Sequence, residues 1–210
     1  MTKLVLIFSF IEMLIAEFKD DYKTHNSDFV ISKWVMEKIP HIFASDYASF
    51  IQTKITLGKK LGVDSCAIVF VGSSSTGFSL NPNKNFKIYD DKSDIDIAVI
   101  SNYHFNIAWH CIRNTDKNAQ LPMVKNAIDD HRQRLIFWGT IATDKLLGIL
   151  PFGKDWMDAI EELKKNPIFE NRKINFRLYQ DYDSLRAYHR YNFEHNIINV
   201  LDVKPQSITL

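Results

Sequence analysis

Cysteine is nearly absent from this chain of 210 residues, which has Cys66 and Cys111 and no others. One lies inside an apolar run and the other beyond the next, so they make neither a disulfide framework nor a cluster with zinc-ligand spacing. A disulfide-stapled secreted module is therefore excluded, and a reducing cytoplasm is the expected compartment. An excess of one charge is also lacking: 26 basic residues stand against 25 acidic ones, a formal +1. No general field draws the protein to a polyanion, and any nucleic-acid contact has to be a local patch. The most apolar stretch, residues 4–18, is too short to span a bilayer comfortably, contains Glu12 and Glu17, and is followed by no small-residue cleavage site. It is expected to be a buried helix rather than a membrane anchor, with a processed leader or a partner-binding helix as the alternatives.

What is present is a globular composition, 46% hydrophobic, in a chain long enough for one domain with a real core. No internal repeat or low-complexity segment divides it. Helices are expected over residues 3–21, from Ser27 as N-cap to before Pro40, and from Ser45 to Gly62, with Tyr47, Phe50, Ile51, Ile55 and Leu61 at helical spacing. The continuous apolar run 66–71 reads as a buried central strand, 96–100 as a second strand, and the polar segment 81–92 as a loop between them. Further helices are expected over 125–138, over 155–165 capped by Asp155, and over 184–201. Residues 173–179 alternate Ile174, Phe176 and Leu178 with Asn175, Arg177 and Tyr179, the pattern of a half-exposed third strand. The expected fold is α/β or α+β, a single domain with a small mixed sheet flanked by helices from both termini. Residues 1–62 would form a helical part, 63–180 a sheet-containing core, and 181–210 a closing helix and tail. Trp138 and Trp156 are expected in the core.

Two segments carry chemistry. Gly72, Ser73, Ser74, Ser75, Thr76 and Gly77 close the first strand, and a turn of small residues offers bare backbone N–H groups and hydroxyls to an anion. Ser93, Asp94, Ile95 and Asp96 open the next strand, where alternate side chains share a face, so two carboxylates about 6.5 Å apart point the same way. Oxygen-only ligands suit a hard cation that also holds substrate phosphates. The combination suggests metal-assisted chemistry on a nucleoside triphosphate.

At these residues the chain resembles the DNA polymerase β-like nucleotidyltransferase superfamily, whose signature is an apolar residue, Gly-Ser or Gly-Gly, a helical turn, and Asp-apolar-Asp or Glu on the following strand. The matching residues are Gly72, Ser73, Asp94, Ile95 and Asp96, with Ser93 before them. The resemblance covers residues 45–101 well and the remainder only by element order. It implies Gly72 and Ser73 at the triphosphate, Asp94 and Asp96 as catalytic ligands of Mg²⁺ or Mn²⁺, and in-line transfer of a nucleoside monophosphate to a hydroxyl. The gap from Ser73 to Asp94 is longer than in compact members, which makes 81–92 an insertion beside the mouth of the site. The third carboxylate that many members place on a later strand is missing, since Asn175, Arg177 and Tyr179 are not acidic. Asp144, Asp181 and Asp183 are the remaining candidates. A nucleotide-binding sensor or regulatory subunit working with a partner is the alternative. The acceptor stays open: a nucleotide, a nucleic-acid 3′ end, a protein hydroxyl or a small molecule. A homodimer or a partner protein would suit a chain with little room for an acceptor domain.

Other patterns fit less well. Gly72 and Gly77 have P-loop spacing, but Phe78 and Ser79 stand where lysine and a hydroxyl residue are required. Ser73, Ser75 and Gly77 approach a serine-hydrolase elbow without its first glycine, and nothing selects His104, His110, His131, His189 or His195 as a base. Arg132, Arg134, Arg177, Arg186 and Arg190 interleave with Tyr179, Tyr182, Tyr188 and Tyr191, which makes either a base-stacking patch or ordinary solvated helix faces.

Overall fold

The computed structural model of the chain describes residues 2–44, 46–80 and 84–194. Helix α1 (Thr2–Thr24) buries Ile11, Leu14 and Phe18, three and four apart on one stripe, and leaves Phe10 and Met13 about half exposed. Among the described residues no helix is long and apolar enough to cross a membrane. Helix α2 (Ser27–Ile31) is capped by Asn26, whose side chain accepts from Phe29 N at 2.9 Å, so Ser27 is its first residue and not the cap. Asn26 already has the extended backbone a cap needs, and its amide oxygen reaches the third N–H. The helix widens into a π turn at Ser32–Met36 and stops before Pro40. Asp21 fastens α1 to this segment by accepting from Trp34 Nε1 at 2.8 Å and pairing with Lys33 Nζ at 2.7 Å. Burial pushes its carboxyl up, but these two partners outweigh burial and hold it below the usual range.

Helix α3 (Tyr47–Leu61) starts at Asp46, which accepts from Ser49 N at 2.9 Å, and ends at Gly62 with φ 68°. Ser45, the expected start, lies outside the described residues. Strand β1 (Ile68–Val71) is shorter than the apolar run because Asp64 accepts from Cys66 N at 2.7 Å and curls Ser65–Ala67 into a 3-10 turn. After it come the single-turn helix α4 (Ser73–Thr76), strand β2 (Ile95–Ile100), helix α5 (Asn102–Asn114) and helix α6 (Pro122–Asp130). A π turn at His131–Leu135 and a 3-10 turn at Ile136–Trp138 prolong α6 to the expected end at 138. The chain then forms strand β3 (Thr140–Ala142), helix α7 (Gly153–Leu163), strand β4 (Ile174–Tyr179) and helix α8 (Tyr182–Asn192). Asp155 lies in the first turn of α7, whose N-cap is Phe152. The part of the last expected helix beyond residue 194 lies outside the described residues.

The fold is therefore mixed α/β, with a sheet ordered β1-β2-β4-β3. The outer pairs are antiparallel and β2 runs parallel to β4. Helix α5 and strand β3 were not anticipated. β3 has three residues on the sheet edge, too few for a periodic signal. α5 could have been found: Ser101 accepts from His104 N at 3.3 Å as its cap, and Phe105, Ala108 and Ile112 repeat at helical spacing.

Strands β1, β2 and β4 each feed two cores, and β3 feeds the first through Ile141. Ile68, Phe70, Ile95, Ile97, Val99, Ile174, Phe176 and Leu178 pack on one face with residues of α3, α5, α6 and α7. Val69, Val71, Ala98, Ile100 and Tyr179 pack on the other with Ile11, Phe18, Trp34, Leu185 and Phe193. β4 is thus less open than its alternation suggests, since α8 covers Tyr179, which is 1% exposed. Trp156 is buried as expected, whereas Trp138 is half-buried, its ring 4.7 Å from that of Tyr191.

His131 ties α6 to β3: Nδ1 lies 2.6 Å from the Ala127 carbonyl and Nε2 accepts from Ala142 N at 2.9 Å. Only the neutral ring with its proton on Nδ1 satisfies both. His104, stacked edge-on to Phe152, is buried too. Burial holds both imidazoles below their ordinary value of 6.5. An unfolded chain takes protons at these rings first as pH falls, so stability is complete above pH ~6.5 and declines below it. Urea midpoints measured from pH 8 to pH 5 are expected to fall across that window. His131→Leu, which leaves Ala142 N–H unpaired, is expected to cost about 1–3 kcal/mol at pH 8.

Candidate active site

The register of the sheet assembles the acidic pair. Asp96 stands opposite Val71 on β1 and opposite Asn175 on β4. Asp94, exposed just before β2, and Asp96, half-buried on it, both accept from one amide: Asn175 Nδ2 is 3.4 Å from Asp94 Oδ2 and 3.0 Å from Asp96 Oδ1. The carboxylates therefore leave the chain toward the same side, as the period of a strand requires. Lys173 Nζ lies 3.6 Å from Asp94 Oδ2 at the solvent edge.

The small-residue turn lies against this pair. Gly72 has φ 70° and ψ −159°, a region essentially closed to other residues, and a Cβ built on it would meet Asp96 Oδ2 at 3.0 Å. Ser73 begins α4 and is half-buried, while Ser74 and Ser75 are sealed below it. Burial of Ser75 argues against its presentation as a nucleophile, and among the described residues its hydroxyl has no hydrogen-bond partner. The excursion between the strands is folded back on the sheet through an isolated Phe78–Ile88 bridge and a Ser79 N to Lys87 O bond of 2.8 Å. Residues 81–83 of the expected loop lie outside the described residues. Arg172 clamps the approach to Asp94, donating to Asp90 O at 2.9 Å and to Asp91 Oδ1 at 3.1 Å.

A cavity of about 460 Å³ opens from Gly72, Asp96 and Asn175 toward Arg177, Tyr188 and His189. Asp144, in the loop after β3, lines it as well, which singles it out among the acids considered for a third position. Asp181 instead caps α8 by accepting from Ser184 N at 2.7 Å, and Asp183 is exposed in the first turn of that helix. The position across from Asp96 belongs to Asn175, so the neighbouring strand supplies a neutral amide. Among the described residues its Oδ1 is buried without a partner, as are Nη1 of Arg177 and Nε2 of His189. Burial first, and the Arg177 charge second, push the His189 imidazole down to about 4, so it is neutral near pH 7. Among the described residues no group of three or more His, Cys, Asp or Glu side chains forms a metal cluster. The chain matches no protein-family model, no curated protein and no solved structure.

The arginine series separates once folded. Arg132 donates to the carbonyls of Ile112, Arg113 and Thr115 at the end of α5, Arg134 pairs with Asp130, Arg186 donates to Ser32 Oγ, and Arg190 pairs with Asp28. Arg177 alone of the five enters the cavity. The sequence pattern marks Asn175 as a non-acidic position, Arg177 and Tyr188 as members of the arginine–tyrosine series, and His189 as a histidine that nothing selects, and it joins none of them to the acidic pair. The alternation on β4 placed Asn175 and Arg177 on one face, but no pattern told which strand would lie beside them.

Gly72→Ala is expected to destabilise the protein by about 1–3 kcal/mol, the range for an L-residue forced into such a backbone region, as read by urea denaturation. Replacing Gly148, where a Cβ meets nothing within 4 Å, is expected to change stability by less than about 1 kcal/mol.

Proposed function

We propose that this chain is a cytoplasmic, metal-dependent nucleotidyltransferase of the DNA polymerase β-like type. The observation that carries the reading is the convergence of Asp94 and Asp96 on Asn175 beside the Gly72 turn. Its residues fit a hard cation: two carboxylates and the orphaned Asn175 Oδ1 are oxygen donors, and Mg²⁺ takes its remaining ligands from water and phosphates. Oδ1 would join only if the amide turned and gave up its bonds to the carboxylates. A bound Mg²⁺ or Mn²⁺ supplies charge neutralisation at the transferring phosphate. Gly72 and Ser73 offer the triphosphate a close backbone approach and a hydroxyl. An acceptor hydroxyl oxygen forms a bond to the α-phosphorus, the bond from that phosphorus to the bridging oxygen breaks, and pyrophosphate leaves with its electron pair. The acceptor proton passes to a carboxylate of the cavity, of which Asp144 is the one not bonded to Asn175.

Asp94→Ala and Asp96→Ala are each expected to lower transfer by roughly 10²-fold or more while circular dichroism and the thermal midpoint stay near those of the parent. The assay incubates the protein with each labelled nucleoside triphosphate and resolves products by mass. Full turnover in the double variant would sink the reading.

A second reading, a nucleotide sensor that binds without transferring, is favoured by one specific observation: Asn175 holds the place of a third carboxylate. Calorimetric titration with triphosphate and Mg²⁺ alongside the transfer assay separates the two. In either case Asn175→Asp adds a charged ligand, and Mn²⁺ affinity measured by water-proton relaxation is expected to rise roughly tenfold.

A further inference from the structure

Beyond Asn175, the cavity that Asp96 and Asp144 also line ends in a guanidinium that makes no ion pair among the described residues. Arg177 follows Asn175 by two residues on β4, so both side chains leave the same face from Cα atoms about 6.6 Å apart. Its Nη1 is buried and donates to nothing among the described residues, and the guanidinium carbon sits 5.0 Å from the centre of the Tyr188 ring. His189, the next residue of α8, lines the same cavity and has a second buried nitrogen, Nε2, without a partner among the described residues. A guanidinium keeps its charge at every working pH, and sealing one of its donors without an acceptor is costly. Arg132, Arg134, Arg186 and Arg190 all have acceptors within the chain, so the deficit is particular to this place.

We propose that Arg177 and His189 form a phosphate subsite for the acceptor, which is therefore a small hydroxyl compound carrying a phosphoryl group, a nucleotide or a sugar phosphate. The acceptor assignment rests on the nucleotidyltransferase reading. The Gly72 turn lies on the β1 side of Asp96 and Arg177 on the β4 side, so the donor triphosphate and this subsite occupy opposite flanks of the acidic pair. The step from Asn175 to Arg177 matches the span from a hydroxyl to a phosphoryl group within one small molecule. A guanidinium fork fits phosphate oxygens in pairs, and a neutral His189 donates one more bond when its proton is on Nε2. A space of about 460 Å³ walled by α8 suits a small molecule.

The first arm of the test uses the full chain with EDTA and no donor, titrated calorimetrically with adenosine 5′-monophosphate and, separately, with adenosine. The monophosphate is expected to bind at least tenfold more tightly, and Arg177→Met, whose thioether keeps the contact with Tyr188, is expected to remove that preference. Arg177→Lys, which keeps the charge and loses the fork, is expected to fall between, and Arg134→Met is expected to behave as the parent. Equal binding of the two ligands, or a preference that survives in folded Arg177→Met and Arg177→Lys, overturns the subsite. The second arm compares transfer to phosphorylated and unphosphorylated hydroxyl acceptors. The expected result is a KM for the phosphorylated acceptor that rises in Arg177→Met while the KM for the triphosphate stays unchanged. Transfer that ignores the acceptor phosphate overturns this assignment and leaves the nucleotidyltransferase standing. A phosphate preference without transfer to any acceptor overturns the acceptor role along with the enzymatic reading.

Discussion

Parallel pairing of β2 with β4 is the constraint on which the site depends. It sets Asp96 beside Asn175, and the two-residue period of both strands then fixes what lies above and below them. Two carboxylates that share a face repel each other, and the repulsion grows as water is excluded around Asp96. The Asn175 amide relieves it without adding charge, because Nδ2 has two hydrogens and one carboxylate accepts each. An acid at the same place would add a third negative charge and make a filled metal site a condition of stability. The neutral amide lets the acidic pair persist without that condition, while its Oδ1 remains a buried acceptor with no partner.

The same pairing divides the molecule. Odd positions of β2 and even positions of β4 turn to the core under α3, α5, α6 and α7, and the remaining positions turn toward α1, α2 and α8. Along the second face polarity changes from end to end: Asn175 at the open end, Arg177 in the middle, and Tyr179 fully covered. The cavity occupies this gradient, with carboxylates at its mouth and a guanidinium within. α8 forms the inner wall through Tyr188 and His189, and α8 is itself held to the N-terminal helices by Arg186 on Ser32 and Arg190 on Asp28. Among the described residues the N-terminal helices thus support the site without contributing a side chain to it.

Much of the architecture was legible in the chain. The apolar run before Gly72, the alternation after Lys173, and the breaks at Gly62 and Pro40 are local signals, set by sterics and burial within a few residues. Boundaries shifted where one side chain outcompeted a pattern: Asn26 over Ser27, and Asp64 over the start of the apolar run. The unanticipated β3 exists because its partner strand supplies hydrogen bonds that three residues cannot specify by themselves. The arginine and tyrosine series looked uniform along the chain, and folding separated it into arginines spent on carbonyls, carboxylates and a hydroxyl and one left facing a cavity.

By itself the sequence determined most of the helices, three of the four strands, the small-residue turn, and the sharing of one face by Asp94 and Asp96, since each follows from backbone period and local sterics. Tertiary structure alone decided that Asn175 would stand against that pair and that α8 would close over Arg177. Those contacts join residues about eighty positions apart or bring a helix onto a strand, and strand order and register arise from global packing of two cores, which no local pattern encodes.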